Sequence, residues 1–209
     1  MVRTLEKVER RIGEKLFLKG DRCLGPKCAY VRHSQPPGMH GKGTRRRRDS
    51  SEFGALLKEK MKMRYYYGLD DSDIKRYVKV AALEKGAFHI NILRLLERRL
   101  DSIVFRLGFA VSRRQARQMI SHGHITVNDR RVSIPSYRVN VGDRVGIKEG
   151  SLTISPLFGD MQNRLRSYEA PKYLSLAKES FTGEVSALPE LDERHLMLDA
   201  TKVKEFYSR

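Results

Sequence analysis

The sequence predicts an α+β protein: a helical domain, a small module of helices on an antiparallel sheet, and an irregular basic N-terminal arm. Three observations carry this. Apolar residues recur at helical spacing from Phe53 to Leu107, with charged residues filling the intervals. Beyond Gly123 the period shortens to two, and turn residues separate the alternating runs. Before Asp49, glycine, proline and arginine take the place of any regular pattern.

Composition bounds what such a chain can do. Its 209 residues allow one or two domains at roughly 150 residues each. Lys and Arg number 42 against 25 Asp and Glu, a formal net charge of +17, which resists compaction and favours a polyanionic partner. Nucleic acid is the first such partner to consider and an anionic membrane the second. No membrane partner is expected, because no apolar run approaches a spanning helix and the N-terminus MVRTLEKVERR lacks the apolar core of a signal peptide. A soluble intracellular protein is the expectation. Two cysteines support no disulfide framework and fit a reducing compartment. With 8% aromatics and no Trp, charge and shape should matter more than base stacking.

Residues 1–48 read as the arm. Val8, Ile12, Leu16 and Phe17 suggest a helical turn or two, after which Gly20, Gly25-Pro26, Pro36-Pro37-Gly38, Gly41 and Gly43 leave no independent core. The run Arg45, Arg46, Arg47 and Arg48 must be solvated or rest on something negative, and its setting suggests an arm lying along a partner. Cys23 and Cys28, with His33 and His40, would complete a tetrahedral zinc shell. There is no second cysteine pair, however, and the histidines are not spaced as in a finger, so two reduced cysteines and no cofactor are expected.

Residues 49–86 predict two helices. Asp49 with Glu52 forms a capping box, and Phe53, Leu56, Leu57 and Met61 share one side until Gly68, with Lys58, Lys60, Lys62 and Arg64 on the remainder. Asp70 caps the second helix, whose apolar side is Ile74, Tyr77, Val78, Ala81 and Ala82. Tyr65, Tyr66 and Tyr67 are assigned to packing rather than to stacked bases. A longer helix is predicted from Ile90 to Leu107, with Ile92, Leu93, Leu96, Leu100, Ile103, Val104 and Leu107 in one arc and Arg94, Glu97, Arg98 and Asp101 opposite.

The stretch Ser112 to Arg131, SRRQARQMISHGHITVNDRR, is the most informative. Ser112 and Gln115 make a capping box and Gly123 suits a left-handed cap, so a short helix is bracketed. Ala116, Met119 and Ile120 share its apolar arc, while Arg113, Arg114, Arg117, Gln118 and Ser121 share the cationic one. His124 to Val127 and Arg131 to Ile134 read as strands joined through Asn128-Asp129-Arg130, adding Arg130 and Arg131 to a surface suited to phosphates. Tyr137, Val139 and Val141 alternate with polar residues, and a further strand follows the turn at Gly142-Asp143. Nearer the C-terminus, a helix from Leu157 to Tyr168, strands Tyr173–Ala177 and Phe181–Ala187, and a last helix capped by Asp199 are expected.

The run RLDSIVFRLGFAVSRRQARQMISHGHITVNDRRVSIPSYRVNVGDRV, from Arg99 to Val145, resembles the alpha-L type RNA-binding module of the small-subunit ribosomal protein S-four family. LFLKGDRC, PPGMHGK, LKEKMKMRYYYG, YLSL and EFYSR extend the likeness along nearly the whole chain. The resemblance implies a basic arm over 1–48 and a helical domain over 49–88, completed by a C-terminal helix at 199–209. It assigns the RNA-binding module and a following β-rich segment to 89–198. It implies a cytoplasmic ribosomal protein that binds small-subunit ribosomal RNA early in assembly, meets the neighbouring small-subunit protein five, borders mRNA where it enters the subunit, and influences decoding accuracy. By the same resemblance Arg113, Arg114, Arg117 and His122 face RNA, and Arg45 to Arg48 lie near incoming mRNA. Lys58, Lys62 and Arg64 are the RNA-facing candidates of the helical domain. Zinc-bearing members have a cysteine pair near the start, where this chain has Leu5, Val8, Glu9 and Arg10.

Two other classes share parts of this pattern. A helix-turn-helix DNA regulator would use the helix pair and the charge, and predicts a dimer on a duplex half-site. An RNA-modifying enzyme needs a catalytic domain for which no segment has room, and no phosphate-cradling Gly loop with Lys-Ser/Thr is present. His122-Gly123-His124 reads as a helix cap entering a strand, not as an acid-base pair. Arg113, Arg114 and Arg117 changed together to Ala are expected to leave the fold intact and to weaken RNA binding.

Overall fold

A computed structural model describes residues 5–38, 41, 51–154, 158–190 and 198–208. The described residues form ten α-helices, one short 3-10 turn and a five-stranded antiparallel sheet, the α+β class predicted. The chain divides into two units, 1–92 with 193–209 and 93–192.

In the first unit, α1 (Leu5–Ile12), the 3-10 turn Gly20–Cys23 and α2 (Ala29–Arg32) pack where the sequence offered mainly punctuation. Val8, Leu16, Leu18, Cys23 and Cys28 are buried there. Their fastener is a carboxylate: Glu9 is fully buried, and its Oε1 accepts the backbone N–H groups of Leu16 and Leu18, each at 3.1 Å. A residue that reads as surface charge thus closes the loop after α1.

Helix α3 (Glu52–Tyr67) starts on Ser51, whose hydroxyl accepts from Gly54 N at 3.2 Å, rather than on Asp49, which lies outside the described residues. It ends at Gly68 in the left-handed region, as expected. Its buried face differs from the predicted one. Leu56, Met63 and Tyr67 are inside, while Phe53 and Leu57 are exposed. Charge explains the rotation, since Glu59, Lys60 and Lys62 are also buried and can be so because they are paired. Helix α4 (Asp71–Leu83) buries Ile74, Val78 and Ala81, as the periodicity indicated. The C-terminal helix, α10 (Ala200–Ser208), packs on α3, with the Phe53 and Phe206 rings 5.7 Å apart. Asp199 Oδ1 caps it, accepting from Thr201 N and Lys202 N.

The predicted long helix from Ile90 to Leu107 is instead two, α5 (Phe88–Glu97) and α6 (Leu100–Arg106), and the unit division falls within α5. Arg99 is extended (φ −69°, ψ 141°) and bridges Arg138. Backbone bonds Val139 N to Arg98 O, Leu100 N to Tyr137 O and Asp101 N to Pro135 O take the place of helical ones. An apolar arc does not report such a break, because both halves keep one face inward.

The second unit continues with α7 (Arg113–Ser121), β1 (Ile125–Val127), β2 (Arg130–Arg131), β3 (Arg144–Ile147), α8 (Glu149–Ile154), α9 (Met161–Arg166), β4 (Leu174–Ala177) and β5 (Thr182–Val185). The sheet runs β2-β1-β3-β5-β4, every neighbour antiparallel. Val127 pairs with Arg130, so the hairpin turn is Asn128-Asp129 alone, and the second strand stops at Arg131 rather than Ile134. Both turn residues have positive φ, 49° and 63°, the mirror-image turn that a two-residue hairpin demands. The predicted alternation at Tyr137, Val139 and Val141 is not a strand; only Val139 is buried, while Tyr137 and Val141 are exposed. The core joins Ile103, Leu107 and Phe109 to Met119, Ile120, Ile125, Val145, Leu165 and Val185.

Candidate nucleic-acid interface

Helix α7 is set by local sequence chemistry. Ser112 Oγ accepts from Gln115 N at 3.3 Å, and Gln115 Oε1 accepts from Val111 N at 2.7 Å. Ala116, Met119 and Ile120 are fully buried, and Gly123, at φ 77°, ends the turn. The apolar half of the helix lies where its periodicity put it.

The cationic half does not behave as one face. Arg113 is 8% exposed and turned inward: its Nη2 is 3.0 Å from Glu97 Oε1, its Nε 3.5 Å from Ser102 Oγ, and its guanidinium 4.7 Å from the centre of the Phe105 ring. Glu97 also accepts both bonds of an Arg106 fork, at 2.9 and 3.1 Å. Beside them Arg99 grips Asp101 bidentately at 3.1 and 2.9 Å, and Arg117, one-third exposed, reaches Asp101 Oδ2 at 3.2 Å. Burial, then the Glu97 charge, pushes the Tyr173 hydroxyl far up, so it stays a donor, 3.4 Å from Glu97 Oε2. Assigning Arg113 to a phosphate is therefore corrected. A lone buried carboxylate would be prohibitive, and Glu97 draws in whichever arginines can reach it.

Outside this layer the surface is cationic. Arg114, Gln118, Ser121, His122, Arg130 and Arg131 are all exposed, as is Lys148, which no sequence motif marks. Arg114, Arg130, Arg131 and Lys148 make no ion pair with a carboxylate among the described residues. The Arg131 guanidinium lies against Gly123, over the space a Cβ would fill, so the hairpin's arginine is seated on the end of α7. His124 registers the resulting field. Burial lowers its pKa, and the positive charges of His122, Arg131 and Lys148 lower it further. Its Nδ1 is 3.0 Å from Ser151 Oγ, and Phe158 packs edge-on at 5.7 Å, so it is a fixed member of the cluster.

In the first unit, Lys62 is buried and bound to Glu14 and to Glu59 (2.7 Å), which corrects its reading as a phosphate contact. Lys58 also pairs with Glu14, at 2.7 Å, and Arg64 lies 3.5 Å from Asp71 and 3.7 Å from Asp70. Arg45 to Arg48 lie outside the described residues. Cys23 and Cys28 are buried free thiols, and burial raises the Cys23 pKa, which disfavours the thiolate a metal needs. Glu9 spends Oε1 on the backbone, and no group of three or more His, Cys, Asp and Glu among the described residues is arranged to hold a metal. His40, the fourth residue of the candidate shell, lies outside the described residues.

A helix pair laid on a small antiparallel sheet, with arginines outside and a buried ion-pair layer beneath, defines a module for a phosphate-bearing polymer. Comparison with known proteins gives the family. The model of the S4 domain matches residues 98–145, and that of the ribosomal protein S4/S9 N-terminal domain matches residues 3–97. Small ribosomal subunit protein uS4 of Desulfitobacterium hafniense is 46% identical over 200 residues, covering 96% of this chain and 94% of the relative. Those of Acetivibrio thermocellus and Thermus thermophilus are each 44% identical over the same shares. The chain belongs to the small ribosomal subunit protein uS4 family.

Proposed function

We propose that this chain is a non-catalytic structural component of the small ribosomal subunit in the cytoplasm, binding small-subunit ribosomal RNA by phosphate neutralisation and shape. The observation that carries the reading is the exposed set of Arg114, Arg130, Arg131, Lys148 and His122; beside it burial, and then the charges of His122, Arg131 and Lys148, lower the pKa of His124. Cations without a carboxylate partner among the described residues, above a layer where buried arginines are neutralised, leave a surface charge suited to an outside polyanion. A-form RNA hides its base edges in a narrow groove, so such a surface reads the contour of a junction more than its sequence. The family supports the finer roles: nucleating assembly, meeting small-subunit protein five, bordering mRNA where it enters the subunit, and contributing to decoding accuracy. No helix among the described residues is long and apolar enough to cross a membrane. The reading includes no metal, so elemental analysis of the purified protein should find no stoichiometric zinc.

The test is a binding titration against folded small-subunit ribosomal RNA, duplex DNA and unrelated RNA at matched ionic strength. The folded ribosomal RNA should bind tightest, with log K falling linearly in log salt by about 0.7–0.9 per phosphate contact. Equal affinity for all three would reduce the surface to unspecific charge. A preference for duplex DNA would favour the regulator reading.

A further inference from the structure

Helices α1 and α3 leave an apolar groove between them that the RNA-binding reading does not use. Leu57, Met61 and Tyr65 recur every fourth residue along α3, a ridge about 12 Å long at the helical rise, and Val8 and Ile12 line the α1 side. Together they bound a hollow of about 250 Å³ that also opens at Gly54, which has no side chain to close it. Val8 is buried, whereas Leu57 is exposed at 36%. Phe53, the other apolar residue that α3 exposes, meets the Phe206 ring of α10, while Leu57 has the hollow beside it.

The lining adds two cations to this apolar floor, Arg11 and Lys58. Arg11 is exposed and has no ion-pair partner among the described residues. Lys58 pairs with Glu14 at 2.7 Å, but the same carboxylate also holds Lys62, and no carboxylate lines the groove itself. A single exposed apolar residue signifies nothing, whereas a row of them along a hollow, bordered by unneutralised charge, marks a place where another molecule sits. An RNA phosphate would satisfy the cations and leave the aliphatic floor against water. A protein segment with an aliphatic or aromatic side chain beside an Asp or Glu satisfies both. The side chain displaces water from Val8, Ile12, Leu57 and Met61, and the carboxylate accepts from Arg11 and Lys58. The hollow is smaller than a drug-sized site and suits one such anchor.

We propose that the groove between α1 and α3 seats an acidic segment of a neighbouring protein of the small subunit, anchored by one apolar side chain. The proposal rests on the reading of this chain as a subunit component, and its test separates the two. Hydroxyl-radical oxidation of Leu57, Met61 and Tyr65, read by mass spectrometry, is compared in the free chain, in its complex with folded small-subunit ribosomal RNA alone, and in complete small subunits. His122, exposed on the α7 surface, is the reference for RNA contact. The groove residues should stay open in the RNA complex, where His122 is protected, and lose most of their oxidation only in complete subunits. Protection by RNA alone reassigns the groove to RNA, and undiminished oxidation in complete subunits shows it unoccupied; either result overturns the proposal. If RNA leaves His122 unprotected and the chain does not sediment with the subunit, the RNA reading fails and the groove falls with it. The chemistry of the occupant is read by placing p-benzoylphenylalanine at position 57, an exposed site, in chain reassembled into subunits. Its photo-adduct should be with a protein peptide that carries an Asp or Glu beside the attached apolar residue. An adduct with ribosomal RNA, or with a peptide lacking a carboxylate, refutes the acidic partner. If this variant does not enter subunits, the footprint of the parent chain decides alone.

Discussion

At the scale of single residues, the arginines of α7 separate by the carboxylates beneath them. Arg113 and Arg114 are neighbours of one chemical type, yet one belongs to Glu97 and the other to solvent. Arg113→Ala removes one partner of a buried carboxylate that Arg106 still holds. It should cost about 3 kcal/mol, the lower end for breaking a buried pair, in urea unfolding. Arg114→Ala should move stability by less than about 0.5 kcal/mol and lower the salt slope of RNA binding by about one. The triple alanine change expected to spare the fold therefore should not, and a triple variant as stable as the parent would refute the inward assignment. His124 gives a pH test. Its folded pKa lies below the ordinary 6.5, so the folded state resists protonation. Stability is fully present above 6.5 and declines as pH falls from there toward the depressed folded value. RNA phosphates near Arg131 and Lys148 would offset part of that positive field, so the His124 pKa should rise in the complex, read by NMR titration.

At the scale of elements, the chain closes its turns with side chains whose roles are not apparent from their residue types. Glu9 holds two backbone N–H groups of the segment after α1. Glu9→Ala leaves both donors buried and should destabilise the first unit by about 2–4 kcal/mol, seen as faster proteolysis within residues 5–38. Glu9→Gln keeps an accepting oxygen and should recover most of the loss. The hairpin turn is the opposite case, since Asp129 sits at φ 63° where a glycine would be unstrained. Asp129→Gly should stabilise the second unit by about 0.5 kcal/mol in thermal unfolding, because the relief of strain slightly exceeds glycine's entropy cost.

At the scale of the whole molecule, a net charge of +17 is distributed by pairing rather than spread evenly. Glu14 shows how tightly the interior cations are held. Burial alone would raise its pKa, but hydrogen bonds from Lys58 and Lys62 hold it below the usual carboxyl value of 4.5. Lys62 is the mirror case: burial works to lower its pKa, and Glu14 and Glu59 hold it above 10.5. The Glu14 contribution is present above 4.5 and lost as pH falls through its folded value. The Lys62 contribution is present below 10.5 and lost as pH rises through its own. Urea midpoints of the first unit should therefore plateau between these limits and fall at both ends, and Lys62→Met should flatten both limbs.

Much of the architecture was legible beforehand because it depends on local chemistry. The Ser112–Gln115 cap, the glycine stops, the apolar arcs of α4 and α7 and the shift to a period of two each rest on residues within a turn or two of one another. The cationic character of the surface followed from composition. What only the tertiary structure decided is which charges are spent inside. Glu97 meets Arg113 across 16 residues, and Asp199 N meets Glu59 across 140. The break at Arg99 depends on strand-like bonds to residues near 137, and the bond from Arg10 Nε to Gln35 O joins α1 to a loop 25 residues on. A helical wheel gives each side chain a direction but no partner, and the burial of a charge depends on the partner.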